Sequence, residues 1–160
     1  MSSGSFTVMA KRKKRRPAIR QPVHTSDPVL PGHVSPMRSV PTEIPRPDYA
    51  ERGIPIRTTP DDLRKDPATI ERMRHAGSAA RRVLRKVAGH IAPGITTEQL
   101  DQICHEACIK EGGYPSPLNY NGYPKSLCTS INEIICHGIP DSRALKDGDI
   151  VNCDVTIFLD

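Results

Sequence analysis

Three side chains that can do chemistry occur in order in the last third of the sequence: Cys128, His137 and Asp154. Asp154 lies in an alternating segment in which Asn152, Asp154 and Thr156 point to one face and apolar residues point to the other. An ionised carboxylate is costly to bury in a sheet unless it is paired or binds a metal ion. Asp154 is therefore either a metal ligand or a solvent-facing strand residue, and the pattern alone leaves both interpretations open.

The imidazole of His137 is the second group of interest. It lies in the sequence Cys136-His137-Gly138, where the glycine leaves space beside the ring. With an ordinary pKa of about 6.5, a histidine can take up and release a proton at neutral pH. A single histidine is more often structural than catalytic, so the residue type by itself does not assign the role.

Two helices precede these groups and must help to position them. Asp66 as an N-cap and Pro67 at the first helical position predict the start of the first helix, which ends near Gly89. Thr96 and Gln99 have the spacing of a capping box and predict the start of a second helix. The apolar stripe predicted for the first helix consists of Ile70, Met73, Ala76, Ala80, Val83, Leu84, Val87 and Ile91.

Short strands follow the helices. The residues at 126–131 and 134–139 read as two strands around a turn at Asn132, and 150–159 reads as a last strand after the turn signal Asp147-Gly148. The order of helix, helix and then strands predicts the α+β fold class.

A basic tail is predicted at residues 1–26. Seven Lys and Arg residues, from Lys11 to Arg20, precede the first acidic residue, Asp27. One interpretation is a solvated, disordered tail, and the other is a contact of residues 11–20 with the phosphates of ribosomal or other RNA. No aromatic residue is interleaved with the basic ones, so stacking on bases is not supported.

A proline-rich arm is predicted at residues 27–66, before the folded segment at 67–160. Closely spaced prolines remove backbone donors and favour an extended conformation. We expect the arm to lie along a folded surface, with Tyr49, Ile54 and Ile56 as anchors.

Composition excludes several classes of protein. No apolar run approaches the roughly 20 residues of a membrane span, and no secretory signal is visible at the N-terminus, so a cytoplasmic location and no membrane contact are predicted. The five cysteines include no CxxC pair, which favours reduced thiols over disulfides. Cys104 and Cys108 share one helix face, where burial in the core is the commoner arrangement and a zinc site is the alternative.

The segments YPSPLNYNGYPKS, CTSINEIICHGIPD and LKDGDIVNCDVT resemble the type I methionine aminopeptidases, which have the "pita-bread" fold. The similarity runs from about residue 69 to residue 160. The proline-rich arm resembles the N-terminal extension of an actinobacterial-like subgroup. The resemblance implies an α+β chain that forms the first half of that fold, preceded by the extended arm.

The resemblance also implies a function and a set of site residues. The family removes the initiator methionine from nascent proteins, with water activated by two divalent ions (Co, Mn, Fe or Zn). Asp154 matches the first of the family's metal ligands, and His137 matches the catalytic histidine that contacts the substrate. Tyr120, Tyr123 and Cys128 match the pocket for the methionine side chain. Asn132 falls near the family's monovalent cation site.

The remaining metal ligands of the family find no match in this sequence. We therefore expect a truncated chain with an incomplete metal site, inactive alone, whose family acts as a monomer on nascent peptides that begin with Met. The alternative is a non-catalytic binding module of the same fold with a ribosome- or RNA-binding basic tail. A weaker alternative is an aminopeptidase for Xaa-Pro substrates, against which the segment YPSPLNYNGYPKS argues.

Overall fold

An extended arm, two α-helices, a short 3-10 helix at Tyr120–Gly122 and four short strands make up the described chain. The computed structural model describes residues 28–56 and 64–159. The predicted basic tail, including residues 11–20, lies outside this part of the chain. The order of elements agrees with the α+β prediction.

The first helix, α1, comprises Pro67–Ala88 and begins where the sequence predicts. The side chain of Asp66 accepts a hydrogen bond from the Thr69 backbone N–H at 2.6 Å, and Gly89 is the C-cap. A capping carboxylate satisfies one of the backbone donors that a helix start leaves free.

The predicted apolar stripe of α1 is only partly buried. Ala79, Val83 and Val87 in its C-terminal half are buried, whereas Met73 is 58% exposed and Leu84 is 41% exposed. The periodicity predicted the helix correctly. It predicted a larger buried face than the described elements cover.

The second helix, α2, comprises Thr97–Lys110 and starts with the predicted capping box. The Thr96 hydroxyl accepts from the Gln99 N–H at 3.1 Å, and the Gln99 side chain accepts from the Thr96 N–H at 2.8 Å. Cys104 and Cys108 are fully buried on the face toward α1, as the core interpretation predicts.

Four strands form two antiparallel pairs. Strand β1 (Tyr114–Pro115) pairs with β4 (Ile157–Phe158), and β2 (Cys128–Ile131) pairs with β3 (Val151–Asp154). The main core lies between the helices and these strands. Its buried members are Ala79, Val83, Val87, Leu100, Cys104, Cys108, Leu127, Ile131, Leu145 and Ile157.

Two strand predictions are wrong. Residues 134–139 form no strand, and the predicted last strand is split into β3 and β4, each with a different partner. Asn132 adopts a left-handed backbone (φ 51°), and its side-chain oxygen accepts from the Ile150 N–H at 3.0 Å. This hydrogen bond joins β3 to β2. Strand β3 therefore occupies the position beside β2 that the sequence analysis assigned to 134–139.

The arm packs on the folded segment through a second apolar cluster. Val40, Ile44 and Tyr49 are buried against Tyr114 and Leu118. Tyr49 is therefore an anchor, as expected.

Ile54 and Ile56 do not anchor the arm, because they are 72% and 70% exposed. Both follow the turn that ends at Gly53, where the chain leaves the apolar cluster.

A partly buried ionic network also fastens the arm to α2. Arg38 lies 2.6 Å from a Glu98 oxygen and 3.4 Å from an Asp101 oxygen. The fully buried ammonium of Lys125 pairs with Glu98 and donates to the Ser35 hydroxyl at 2.7 Å. Burial alone would raise the pKa of the Glu98 carboxyl, but hydrogen bonds from Lys125 and Ser35 outweigh it and leave the pKa below its ordinary value.

Asp101 orders the start of β2 from within α2. Its fully buried carboxylate accepts from the backbone N–H groups of Ser126 at 2.7 Å and Leu127 at 3.0 Å. Removing it would leave two buried donors unpaired, which is costly. The residue therefore links α2 to the strand that carries Cys128.

His105 links the arm, α2 and the start of β2, and predicts a pH dependence of stability. Its ring contacts the Ser126 hydroxyl at 2.8 Å and the Ser39 carbonyl at 3.1 Å. Burial lowers the pKa of His105, although the Ser39 carbonyl and Asp101 oppose this shift. A lowered folded-state pKa means that its stabilising contribution is present above about pH 6.5 and is lost as the pH falls through the folded-state value.

We therefore expect the free energy of unfolding, measured by urea titration, to fall between pH 7.5 and pH 5, and to fall less in His105→Gln. The exposed His90 supplies the matched control, His90→Gln. Equal pH slopes for the wild type and His105→Gln would contradict this assignment.

Candidate active site

A cavity of about 610 Å³ lies where the loop at 116–124 faces the ends of β2 and β3. It brings together five of the residues predicted from the sequence, namely Tyr120, Tyr123, Cys128, His137 and Asp154. Tyr49 and Ile139 also line the cavity, and neither was predicted as a site residue.

Asp154 stands directly opposite Cys128 in the antiparallel β2–β3 pair. Residues paired in this way have Cβ atoms about 5 Å apart, so the carboxylate and the thiol share one wall of the cavity. The Asp154 side chain is exposed and forms no hydrogen bond or ion pair with any described residue. Within this part of the chain the carboxylate is therefore available to a ligand.

The backbone of His137 is held in an unusual conformation. Its φ of 53° lies in the left-handed region, which non-glycine residues adopt rarely. The next residue, Gly138, accepts from the Thr129 N–H at 2.8 Å and donates to the Ser130 hydroxyl at 3.2 Å. These bonds fix the backbone next to His137, whose exposed imidazole lines the cavity although 134–139 is not a strand.

Tyr123 lines the cavity, and its hydroxyl is held by backbone carbonyls. Its hydroxyl lies 2.9 Å from the Gly138 carbonyl and 3.1 Å from the Leu127 carbonyl, and both oxygens can accept a hydrogen bond from it. Burial raises the pKa of the Tyr123 phenol well above its ordinary value. The hydroxyl therefore acts as a structural donor, and its ring forms an apolar wall.

Cys128 is a buried thiol in this wall. Burial raises the pKa of the Cys128 thiol above its ordinary value. Nucleophilic cysteines need a lowered pKa, because the thiolate is the reactive form. The environment of Cys128 suits a soft packing surface and does not suit a covalent nucleophile.

Asn132 lies outside the cavity. Its side-chain N–H₂ donates to Asp149 at 2.8 Å, and its oxygen accepts from Ile150. The structure uses both ends of this amide to join β2 to β3. A monovalent cation role for Asn132 stays a prediction.

The described residues contain no group of three or more His, Cys, Asp or Glu side chains that could hold a metal ion. The zinc interpretation of Cys104 and Cys108 thus finds no further ligand there. Asp154 fits the part of one carboxylate ligand to a divalent cation, since it is exposed to the cavity and unpaired among these residues. One carboxylate is a ligand and does not make a complete site.

The sequence identifies the class of protein to which this fold belongs. The sequence model of metallopeptidase family M24 matches residues 71–160, and the chain belongs to this family. The prediction of an α+β chain with the pita-bread fold is confirmed by this match and by the solved structures described next.

Methionine aminopeptidases are the relatives that the chain matches. It is 49% identical over 132 residues to methionine aminopeptidase 1 of Saccharomyces cerevisiae, covering 78% of this chain and 34% of that protein. It is 48% identical over 129 residues to methionine aminopeptidase 2 of Mycobacterium tuberculosis, covering 81% of this chain and 45% of that protein. The predicted resemblance is confirmed, while the narrower subgroup stays a prediction.

The methionine aminopeptidase structure from Rickettsia prowazekii matches with a TM-score of 0.59 and 45% identity, over 59% of this chain and 38% of that one. The chain thus spans less than half the length of these relatives. No helix in the described ranges is long and apolar enough to cross a membrane.

Proposed function

We propose that this chain supplies the methionine side-chain pocket and one metal ligand of a methionine aminopeptidase, which removes the initiator methionine from nascent proteins. The observation that carries the proposal is the single cavity in which Tyr120, Tyr123 and Cys128 meet His137 and Asp154. Family membership and the named relatives support the same reaction class.

The cavity wall suits a thioether. Two aromatic rings and a protonated thiol give an apolar, polarizable surface, and the Tyr123 hydroxyl is already used by backbone carbonyls. A methionine side chain is unbranched and makes favourable contacts between its sulfur and aromatic rings. The pocket therefore favours an unbranched apolar side chain over a charged one.

His137 and Asp154 line the same cavity as this wall and add polar groups to it. We propose that His137 contacts the scissile amide and moves a proton there. Asp154 would supply a carboxylate ligand in a site for two divalent ions (Co, Mn, Fe or Zn). Such ions, when bound, provide Lewis-acid activation of water.

A chimera tests the proposal. Residues 71–159 of this chain, which lie within the span of the family match, would replace the matching segment of the Rickettsia prowazekii methionine aminopeptidase. Methionine release from a Met-Ala-Ser peptide would then be measured with Co or Mn added. We expect turnover, with little release of leucine from Leu-Ala-Ser. A folded, metal-bound chimera without methionine release would overturn the proposal.

The 160-residue chain alone is expected to be inactive, since its described part supplies one unpaired carboxylate.

In the same chimera we expect His137→Ala to lower kcat about 100-fold with a smaller change in KM, because general acid–base catalysis contributes about that much. Steady-state kinetics measure the split. His75→Ala, on the exposed face of α1, is the control and should leave both constants unchanged. A loss that appeared only in KM would show that His137 binds substrate without assisting the reaction.

The partner, the location and the domain boundaries belong to the same proposal. We propose a cytoplasmic, monomeric protein acting on nascent peptides that begin with Met, with a tail at 1–26, an arm at 27–66 and a catalytic segment at 67–160.

The seven basic residues at 11–20 support a ribosome contact. Deleting residues 1–20 should abolish a salt-sensitive association with ribosomes, and an unchanged association would contradict the contact.

A further inference from the structure

The arm reaches the candidate active site through one turn. The backbone N–H of Ala50 donates to the Pro47 carbonyl at 3.0 Å, and that of Gly53 donates to the Tyr49 carbonyl at 2.8 Å. We call residues 47–53 the arm turn. It presents Tyr49 to the cavity that contains Tyr120.

Tyr49 contacts the site loop at 116–123 in two ways. Its hydroxyl donates to the Ser116 carbonyl at 2.7 Å. Its ring meets the Tyr120 ring edge to face, with centroids 5.1 Å apart and an interplanar angle of 90°. Tyr49 is 9% exposed and Tyr120 is 46% exposed, so the buried ring supports one side of the partly exposed ring.

A second link between the arm turn and the site loop is independent of Tyr49. The Asn119 side-chain N–H₂ donates to the Ala50 carbonyl at 3.0 Å. Asn119 itself has a left-handed backbone (φ 61°), and its N–H donates to the Tyr123 carbonyl at 2.8 Å. Gly53 passes so close that a Cβ there would lie 3.1 Å from the Asn119 side-chain oxygen.

These contacts join the arm to the residues proposed to receive the methionine side chain. We infer that Tyr49 is a positioning and specificity-determining residue of the pocket. It holds the Tyr120 ring in one orientation and thereby restricts the pocket to unbranched side chains. This inference rests on the proposed function, and it gives the proline-rich arm a part in substrate selection.

An edge-to-face aromatic pair contributes about 0.5–1.5 kcal/mol beyond the area that it buries, which corresponds to roughly a three- to tenfold effect on an equilibrium. In Tyr49→Leu the Tyr120 ring loses this support and the pocket widens. In Tyr49→Phe the ring contact remains and only the bond to Ser116 is lost. The two variants separate the roles of the ring and the hydroxyl.

The first test is amide hydrogen exchange of the 160-residue chain. Tyr49→Leu and Asn119→Asp should each speed exchange of the loop amides at 119, 120, 122 and 123 at least about threefold, while α2 stays protected. Asn119→Asp removes the side-chain donor to the Ala50 carbonyl without altering Tyr49. It therefore tests the link between the arm turn and the site loop even if Tyr49→Leu does not fold. Ile54→Ala, at an exposed residue just after the arm turn, is the control. Unchanged loop exchange in folded Tyr49→Leu and Asn119→Asp would overturn the positioning role.

The second test measures selectivity, which a purely structural role would not change. Dissociation constants for L-methioninamide and L-leucinamide would be obtained by NMR titration of the same chain. We expect the wild type and Tyr49→Phe to prefer methioninamide and Tyr49→Leu to lose about three- to tenfold of that preference. Equal weakening of both amides, with the ratio kept, would overturn the specificity role.

The two tests separate this inference from the proposed function. If the wild type binds neither amide, the pocket assignment and the specificity role fail together, and hydrogen exchange still decides whether Tyr49 positions the loop. If the wild type discriminates between the amides and Tyr49→Leu discriminates equally, the proposed function stands and the inference about Tyr49 is wrong.

Discussion

Replacing Asp154 by Asn in the chimera is expected to reduce methionine release at least about a thousandfold. Asparagine keeps the shape of the side chain and the alternation of β3, but it removes the negative charge that a divalent cation requires from this position. Lewis-acid activation contributes several kcal/mol to the reaction, so a weakened ligand set should affect kcat/KM strongly. The measurements are kcat/KM and the number of metal ions bound per chain.

The matched control is Asp147→Asn, an exposed carboxylate in the turn before β3. It removes the same charge from a position outside the cavity and should leave kcat/KM unchanged. Because Asp154 has no hydrogen-bond or ion-pair partner among residues 28–56 and 64–159, its replacement should alter the free energy of unfolding by less than about 0.5 kcal/mol. Full activity in Asp154→Asn would show that this carboxylate faces solvent only.

The helix starts could be predicted because the interactions that fix them are local. Asp66 bonds to Thr69, and Thr96 exchanges bonds with Gln99, so each signal lies within three residues. A hydrogen-bonding pattern of this range is visible in any short window of sequence.

The strand pairing could not be predicted in the same way. An apolar run at 134–139 has the composition of a strand, but pairing depends on packing against neighbours that are distant in sequence. The side-chain bond from Asn132 to Ile150 crosses 18 positions and joins β3 to β2. The alternation within 151–156 was still correct, because the period of two is a local property.

The candidate site likewise combines residues that the sequence predicts with contacts that it does not. Tyr120, Tyr123, Cys128, His137 and Asp154 were predicted by resemblance to a family, and the structure places them around one cavity. Tyr49 was expected only as an anchor, because its contact with Ser116 spans 67 positions and has no sequence signature. The buried carboxylate of Asp101, bonded to amides at 126 and 127, was missed for the same reason.

Gly138 is the residue at which the structure predicts the most damaging small substitution. The sequence suggests that its missing side chain leaves room for the imidazole of His137. The structure shows a tighter constraint on the other side, where a Cβ at this position would lie 2.0 Å from the Thr129 carbonyl oxygen. That contact is with backbone in β2, so the 137–139 segment itself must move.

We expect Gly138→Ala to lower the free energy of unfolding of the 160-residue chain by about 3 kcal/mol, the upper end of the usual cost of overpacking. The shift should also break the bonds to the Gly138 carbonyl from Thr129 and Tyr123. In the chimera, kcat should fall at least about 100-fold, because a displacement of about 1 Å in a catalytic group has that effect. Urea denaturation and steady-state kinetics measure the two losses.

Gly77→Ala is the matched control, since a Cβ at Gly77 in the middle of α1 meets nothing within 4 Å. Alanine is the better helix former there, so this variant should gain about 0.5–1 kcal/mol and keep full activity. The opposite signs of the two substitutions separate the clash at 138 from any general effect of adding a methyl group. A Gly138→Ala protein with wild-type stability and kcat would mean that the close approach to Thr129 does not hold His137 in place.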